Sequence, residues 1–190
     1  MKRIILAVLG VLTVSAGADA QNNAQTNAQT IERALLAAPA RGRDATTVIQ
    51  WSANHTYQTI KEGTSQLVCW DRSGDPGEAA FSVICTSLGN LDRVAQNRRF
   101  AAEGGDPAGT RALVAAADAN GSRITSVFGS PWLTLAGESQ MNSRTHITIA
   151  MPGATEVSSG FPENRRGGGA YLMQAGTTEA HLMTPYIVVP

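Results

Sequence analysis

Three histidines, His55, His146 and His181, carry the chemistry that is easiest to name in this chain. Two of them sit among sulfur. Met141, Met151, Met173 and Met183, the methionines that follow the first residue, all fall in the last third, beside His146 and His181. Imidazole with thioether suits copper, Cu(I) above all, and imidazole also suits zinc. His181 and Met183 stand two apart in Glu179-Ala180-His181-Leu182-Met183, so on a strand they share a face. Met173 joins them only if the preceding hairpin has a matching register. The candidate metal set is therefore His146, His181 and Met183, with Met173 as a further ligand. The competing account makes the methionines core fillers and His146, close to Thr148, a half-exposed or hydrogen-bonded residue.

Hydrolysis needs a nucleophile in contact with a base, or paired carboxylates. Ser130, Ser139, Asp44, Glu62, Glu138 and Glu179 have the right functional groups, but no spacing selects among them. Gly-x-Ser-x-Gly and His-Glu-x-x-His are both missing. Gly104 and Gly109 have phosphate-loop spacing, yet Thr110 and Arg111 stand where Lys then Ser or Thr are required. Arg165-Arg166-Gly167-Gly168-Gly169 reads as a glycine loop before a strand, with anion binding by its N–H groups as the alternative.

These residues need a compartment and a frame. Met1-Lys2-Arg3 is a short positive region, Ile4 to Val14 is apolar except for Gly10 and Thr13, and Ala18-Asp19-Ala20 offers a cleavage site. That predicts a signal peptide over 1–20. The apolar run is about eleven residues, well short of the roughly 20 that span a bilayer, and no later stretch is long enough. Secretion or a periplasmic location follows as the expectation. The full chain has 15 basic and 15 acidic residues; without Lys2, Arg3 and Asp19, 13 and 14 remain. Such a balance attracts neither nucleic acid nor an anionic membrane. Cys69 and Cys85 are the only cysteines. In an oxidising compartment an even count predicts a pair. It closes a loop of about 15 residues, which chain entropy values at about 3 kcal/mol. Metal-binding or redox thiols are the alternative, without a Cys-x-x-Cys to support them.

Residues 21–29 have no apolar period and read as a flexible tether. From residue 30 to 190 the chain predicts one α+β domain. Ile31, Leu35 and Ala38 share a helical face that Thr30 can cap and Pro39 ends. Residues 46–51, 56–60, 66–70 and 80–85 have strand character, separated by turn-forming stretches. Residues 91–102 have helical spacing, with Leu91, Val94, Ala95 and Arg98 on one face, Asn90 as cap and Gly104-Gly105 as stop. Residues 110–119 predict another helix, closed by Asn120-Gly121. Residues 123–128 predict a strand, and 131–135 fit either a strand or a helix. Residues 145–151 alternate most clearly, with Ile147, Ile149 and Met151 on one face and His146, Thr148 and Ala150 on the other. Residues 170–174 and 180–183 predict a hairpin. The expected architecture is an antiparallel sheet with two or three helices packed on it and one disulfide.

Several stretches also look familiar as a set: Asp44-Ala45-Thr46 to Trp51, Ile60-Lys61-Glu62-Gly63-Thr64 before Cys69, His146-Ile147-Thr148-Ile149 with Pro152, Gly168 to Met173, and Gly176-Thr177 to Pro185. Together they resemble a family of uncharacterised bacterial exported proteins with a Leu-Arg-Glu-Gly segment, a nearby Trp-x-Cys, and a Gly-Thr-x-x-Ala-His-(Leu/Ile)-Met-x-Pro ending. The likeness spans roughly Leu35 to Pro185 and departs at Leu67, where the family has tryptophan. It implies export and a shared fold, carries over no catalytic residue, and points to His146 and His181 as positions to test. The expectation is an exported, non-enzymatic binding or structural domain, with a copper or zinc protein and a hydrolase as alternatives.

Overall fold

The computed structural model describes residues 26–185. The expected signal peptide, residues 21–25 of the expected tether, and Pro190 lie outside them. The chain is helical over 26–34 (α1), so the last four residues of that tether are part of a helix. Thr30 is accordingly an interior residue of α1 and does not cap it. Its hydroxyl donates back to the Thr26 carbonyl at 2.9 Å.

After two short 3-10 turns come β1 (Thr47–Trp51), β2 (Tyr57–Lys61), β3 (Leu67–Asp71) and β4 (Phe81–Ser87). Helices α2 (Leu91–Gly104) and α3 (Pro107–Ala119) follow. The chain closes with β5 (Pro131–Gly137), β6 (Ser143–Ala150), the one-turn helix α4 (Glu156–Ser159), β7 (Tyr171–Met173) and β8 (His181–Met183). The strands form one sheet in the order β2-β1-β3-β4-β5-β6-β8-β7. All neighbours are antiparallel except β1 and β3. The α+β class with one disulfide is as the sequence predicts; the parallel β1–β3 pair departs from the wholly antiparallel sheet expected. Gly63 makes that crossing possible, because a Cβ there would overlap the backbone of Thr46 and Thr47. The Lys61 ammonium secures the same corner by donating to the carbonyls of Asp44 and Thr46, each at 2.8 Å.

Each face of the sheet is covered by a different helix. On the disulfide face, Val48, Cys69, Cys85 and Leu133 are buried beneath Ala34 and Ala38 of the N-terminal segment, with Ile147 alongside. Cys69 and Cys85 are directly opposite in the β3–β4 register and form the predicted bond. On the tryptophan face, Ile49, Val68, Trp70 and Ile84 meet Leu91 and Val94 of α2. Helix α3 packs on α2, not on the sheet. Gly104 and Gly109 permit this close approach, since a Cβ on either would run into the other helix's backbone. Their spacing therefore has a packing origin.

Residues 123–128, predicted as a strand, have no regular structure. The β-branched alternation there is real, but Arg123 is buried in an ionic cluster and the Ile124 N–H donates to the Gln96 side chain at 3.0 Å. That side-chain bond takes a donor a ladder would need. Asn90 precedes α2 but caps nothing. It is fully buried, donates to Thr86 Oγ1 at 2.7 Å and Ser130 Oγ at 2.9 Å, and accepts from the Val127 N–H. Helix α3 starts earlier than its periodicity suggests, at Pro107, because Asp106 accepts from the N–H groups of Ala108 and Gly109.

Candidate functional site

Trp51, Trp70 and Trp132, the three tryptophans of the chain, lie on β1, β3 and β5 and all point from the same face. Trp51 meets Trp70 edge-on at 6.2 Å between ring centres and Tyr57 at 5.3 Å. Such perpendicular contacts are favourable beyond the area they bury. Helix α2 covers this face tightly at Leu91 and Val94. Further along it carries Ala101 and Ala102, and a cleft of about 410 Å³ opens between helix and sheet. That volume lies within the range of small-molecule sites.

Trp70, Ile84, Val94 and Trp132 form the apolar walls. Two ion pairs form the rim. Arg72 donates to Glu78 at 2.7 Å and to Ser82 Oγ at 2.9 Å, and Ser82 donates to the other Glu78 oxygen at 3.0 Å. Burial lowers the Arg72 guanidinium below its ordinary pKa, against the opposing pull of Glu78 and Asp75. Arg98 pairs with Asp75 and lies 5.4 Å from the centre of the Trp51 ring. Around this cleft three buried polar atoms have no hydrogen-bond partner among the described residues: Trp51 Nε1, His55 Nδ1 and Arg98 Nε. His55 also holds a backbone φ of +64°, a left-handed conformation unusual for a residue with a side chain.

A second cavity of about 200 Å³ adjoins the first across Asn97 and Trp132, and Arg93, Glu179 and His181 line it. Here Arg93 and Arg123 both donate to Glu179 Oε1, Arg123 at 2.5 Å. Arg93 also donates to the Ile124 carbonyl, and Arg123 to Gln96 and Asn97, each at 2.6 Å. Burial lowers the Arg93 pKa, partly countered by Glu179. For Glu179, burial pushes upward, but the Arg123 hydrogen bond and the charges of Arg93 and Arg123 prevail and hold its carboxyl below the ordinary value. The cluster ties the β7–β8 connection to α2 and to the segment after α3.

The predicted metal residues divide. His181 pairs with Ala150, four residues along β6 from His146. At about 3.3 Å per residue that is about 13 Å, too far to share one ion. Met173 stands directly opposite His181, and Met183 is two residues on, so these three share the tryptophan face. The Glu179 carbonyl can only accept, so His181 Nδ1 is the donor in their 2.7 Å hydrogen bond, and Nε2 is the ring nitrogen left for another partner. Among the described residues no three His, Cys, Asp or Glu side chains gather into a metal site. The candidate hydrolytic groups are dispersed. Ser130 is buried against Asn90, Ser139 and Glu138 are in the β5–β6 turn, Asp44 and Glu62 are near β1, and Glu179 is bound to arginines. Arg165–Gly167 is a 3-10 turn.

Comparisons with family models, curated proteins and solved structures found no match. The cleft is not legible in the sequence, although the helical spacing puts Arg98 on the Leu91–Val94 face of α2. What would have found it is the alignment of three tryptophans on one face, and that requires the pairing register.

Proposed function

We propose that this is an exported binding domain that holds a small, mainly apolar molecule between α2 and the tryptophan face. The observation that carries the reading is the cleft itself: tryptophan walls, a charged rim, and buried donors without acceptors. Unmatched buried polar atoms are rare and cluster where function requires them. The buried disulfide and the lack, among the described residues, of a helix able to cross a membrane agree with export. N-phenyl-1-naphthylamine, a neutral apolar fluorophore, tests it. All three tryptophans are on the cleft side of the sheet, so bound probe should quench them by energy transfer. Ala101→Phe, which fills the cleft from an exposed helix position, should weaken the probe at least tenfold. Undiminished binding by that variant would remove the cleft as the site.

The β7–β8 register favours a second reading, a Cu(I) site made by His181, Met173 and Met183. One imidazole and two thioethers suit that ion, and the Glu179 carbonyl orients the ring as an outer partner does. A chain that retains one Cu(I) against bathocuproine, and loses it in Met173→Leu with Met183→Leu, would support it. Retention unchanged by that pair of substitutions would end it.

A further inference from the structure

We propose that the cleft's ligand is a small amphipathic monocarboxylate, which Arg98 binds in exchange for Asp75. The inference rests on the cleft being a binding site and adds the chemistry of its occupant. Arg98 lies over the Trp51 ring, its Cζ 5.4 Å from the ring centre. A guanidinium so placed offers a carboxylate two edges, Nη1 with Nη2 and Nη2 with Nε. Asp75 takes the first, through Nη1 and, at 3.4 Å, Nη2. On the second edge, Nε is buried without an acceptor. A ligand carboxylate that displaces Asp75 and turns the guanidinium toward the cleft takes the Nη2–Nε edge and adds the hydrogen bond that Asp75 leaves unmade.

Asp75 is built to yield. Its backbone is held in the β3–β4 loop, with its N–H donating to the Arg72 carbonyl at 2.9 Å and its carbonyl accepting from the Glu78 N–H at 3.1 Å, so its carboxylate can leave Arg98 by side-chain rotation alone. Both members of its pair are part-exposed, Asp75 at 32% and Arg98 at 23%, whereas the arginines that hold Glu179 are 4% and 2% exposed, so the Asp75 pair is the weaker one. The rim balances Arg72 and Arg98 against Glu78 and Asp75, and an incoming carboxylate that releases Asp75 to solvent keeps that balance. A cation would meet Arg98 unshielded, and a neutral body would gain the walls without the arginine. Trp70, Ile84, Val94 and Trp132 require an apolar or aromatic remainder, and a cavity of about 410 Å³ keeps it small.

Competition against N-phenyl-1-naphthylamine tests the class with matched pairs: octanoate against 1-octanol, and 3-phenylpropionate against 3-phenyl-1-propanol. At least one acid should displace the probe at a tenfold lower concentration than its alcohol. Asp75→Asn should strengthen that acid several-fold and leave the alcohol unchanged, while Arg98→Gln should erase the preference. Equal displacement by acid and alcohol in both pairs, or an Asp75→Asn chain that binds the acid more weakly, overturns the carboxylate and leaves the cleft standing. A chain that takes up no neutral probe overturns both.

Discussion

Arg93 and Arg98 are five residues apart on α2 and end in opposite circumstances. Arg93 is buried, and with Arg123 it converges on Glu179, inside a network whose other bonds reach Gln96, Asn97 and the Ile124 carbonyl. Arg98 is half-buried, pairs with a partly exposed aspartate on a glycine-flanked loop, and keeps a buried Nε with no acceptor. One end of the helix is saturated and the other is not. Buried polar networks stabilise only when every member is satisfied. The saturated end is thus a clamp, fixing the C-terminal hairpin to α2 and to the segment after α3. The unsaturated end, where apolar walls surround unmet donors, has the composition of a place meant to receive something.

Truncation at the two ends should separate them most sharply. Glu179→Ala leaves two buried guanidinium groups unpaired and should cost about 3–5 kcal/mol, read from urea midpoints at constant m. Arg98→Met, which removes a partly exposed pair and a ring contact, should cost no more than about 1 kcal/mol. Equal costs would erase the distinction. Acid supplies an independent reading of the clamp. The Glu179 carboxyl is held below its ordinary pKa of 4.5, so the folded state binds its proton less readily than the unfolded state does. Its contribution is present in full above about pH 4.5 and is lost as pH falls through the lowered value. The stability gap between the parent chain and Glu179→Ala should therefore narrow below that pH. A gap that stays constant would mean the carboxylate is not what the arginines depend on.

What could be read from the chain follows from how far apart the cooperating residues are. The β6 faces were plain from 145–151 alone, because alternation is local. The cysteine pair followed from there being two. The cleft needs Trp51, Trp70 and Trp132 in register, and the clamp needs Arg93, Arg123 and Glu179 together; no window of sequence contains either set. Residues 123–128 show the same limit from the other side. Their alternation resembles a strand, and only the distant Glu179 and Gln96 reveal why Arg123 turns inward instead.

The smallest expected effect reverses sign. His55 lines the cleft, carries one of the three unmet atoms, and holds a left-handed backbone in the β1–β2 turn. Glycine accepts that φ freely but loses more freedom on folding, and the balance should leave His55→Gly as stable as the parent or up to about 1 kcal/mol more stable. If the imidazole belongs to the site, the same variant should bind N-phenyl-1-naphthylamine several-fold more weakly. Residues that lower stability persist where function holds them. A His55→Gly chain that loses 1 kcal/mol or more would show that the histidine supports the turn, and the cleft would then be as structural as the Glu179 clamp.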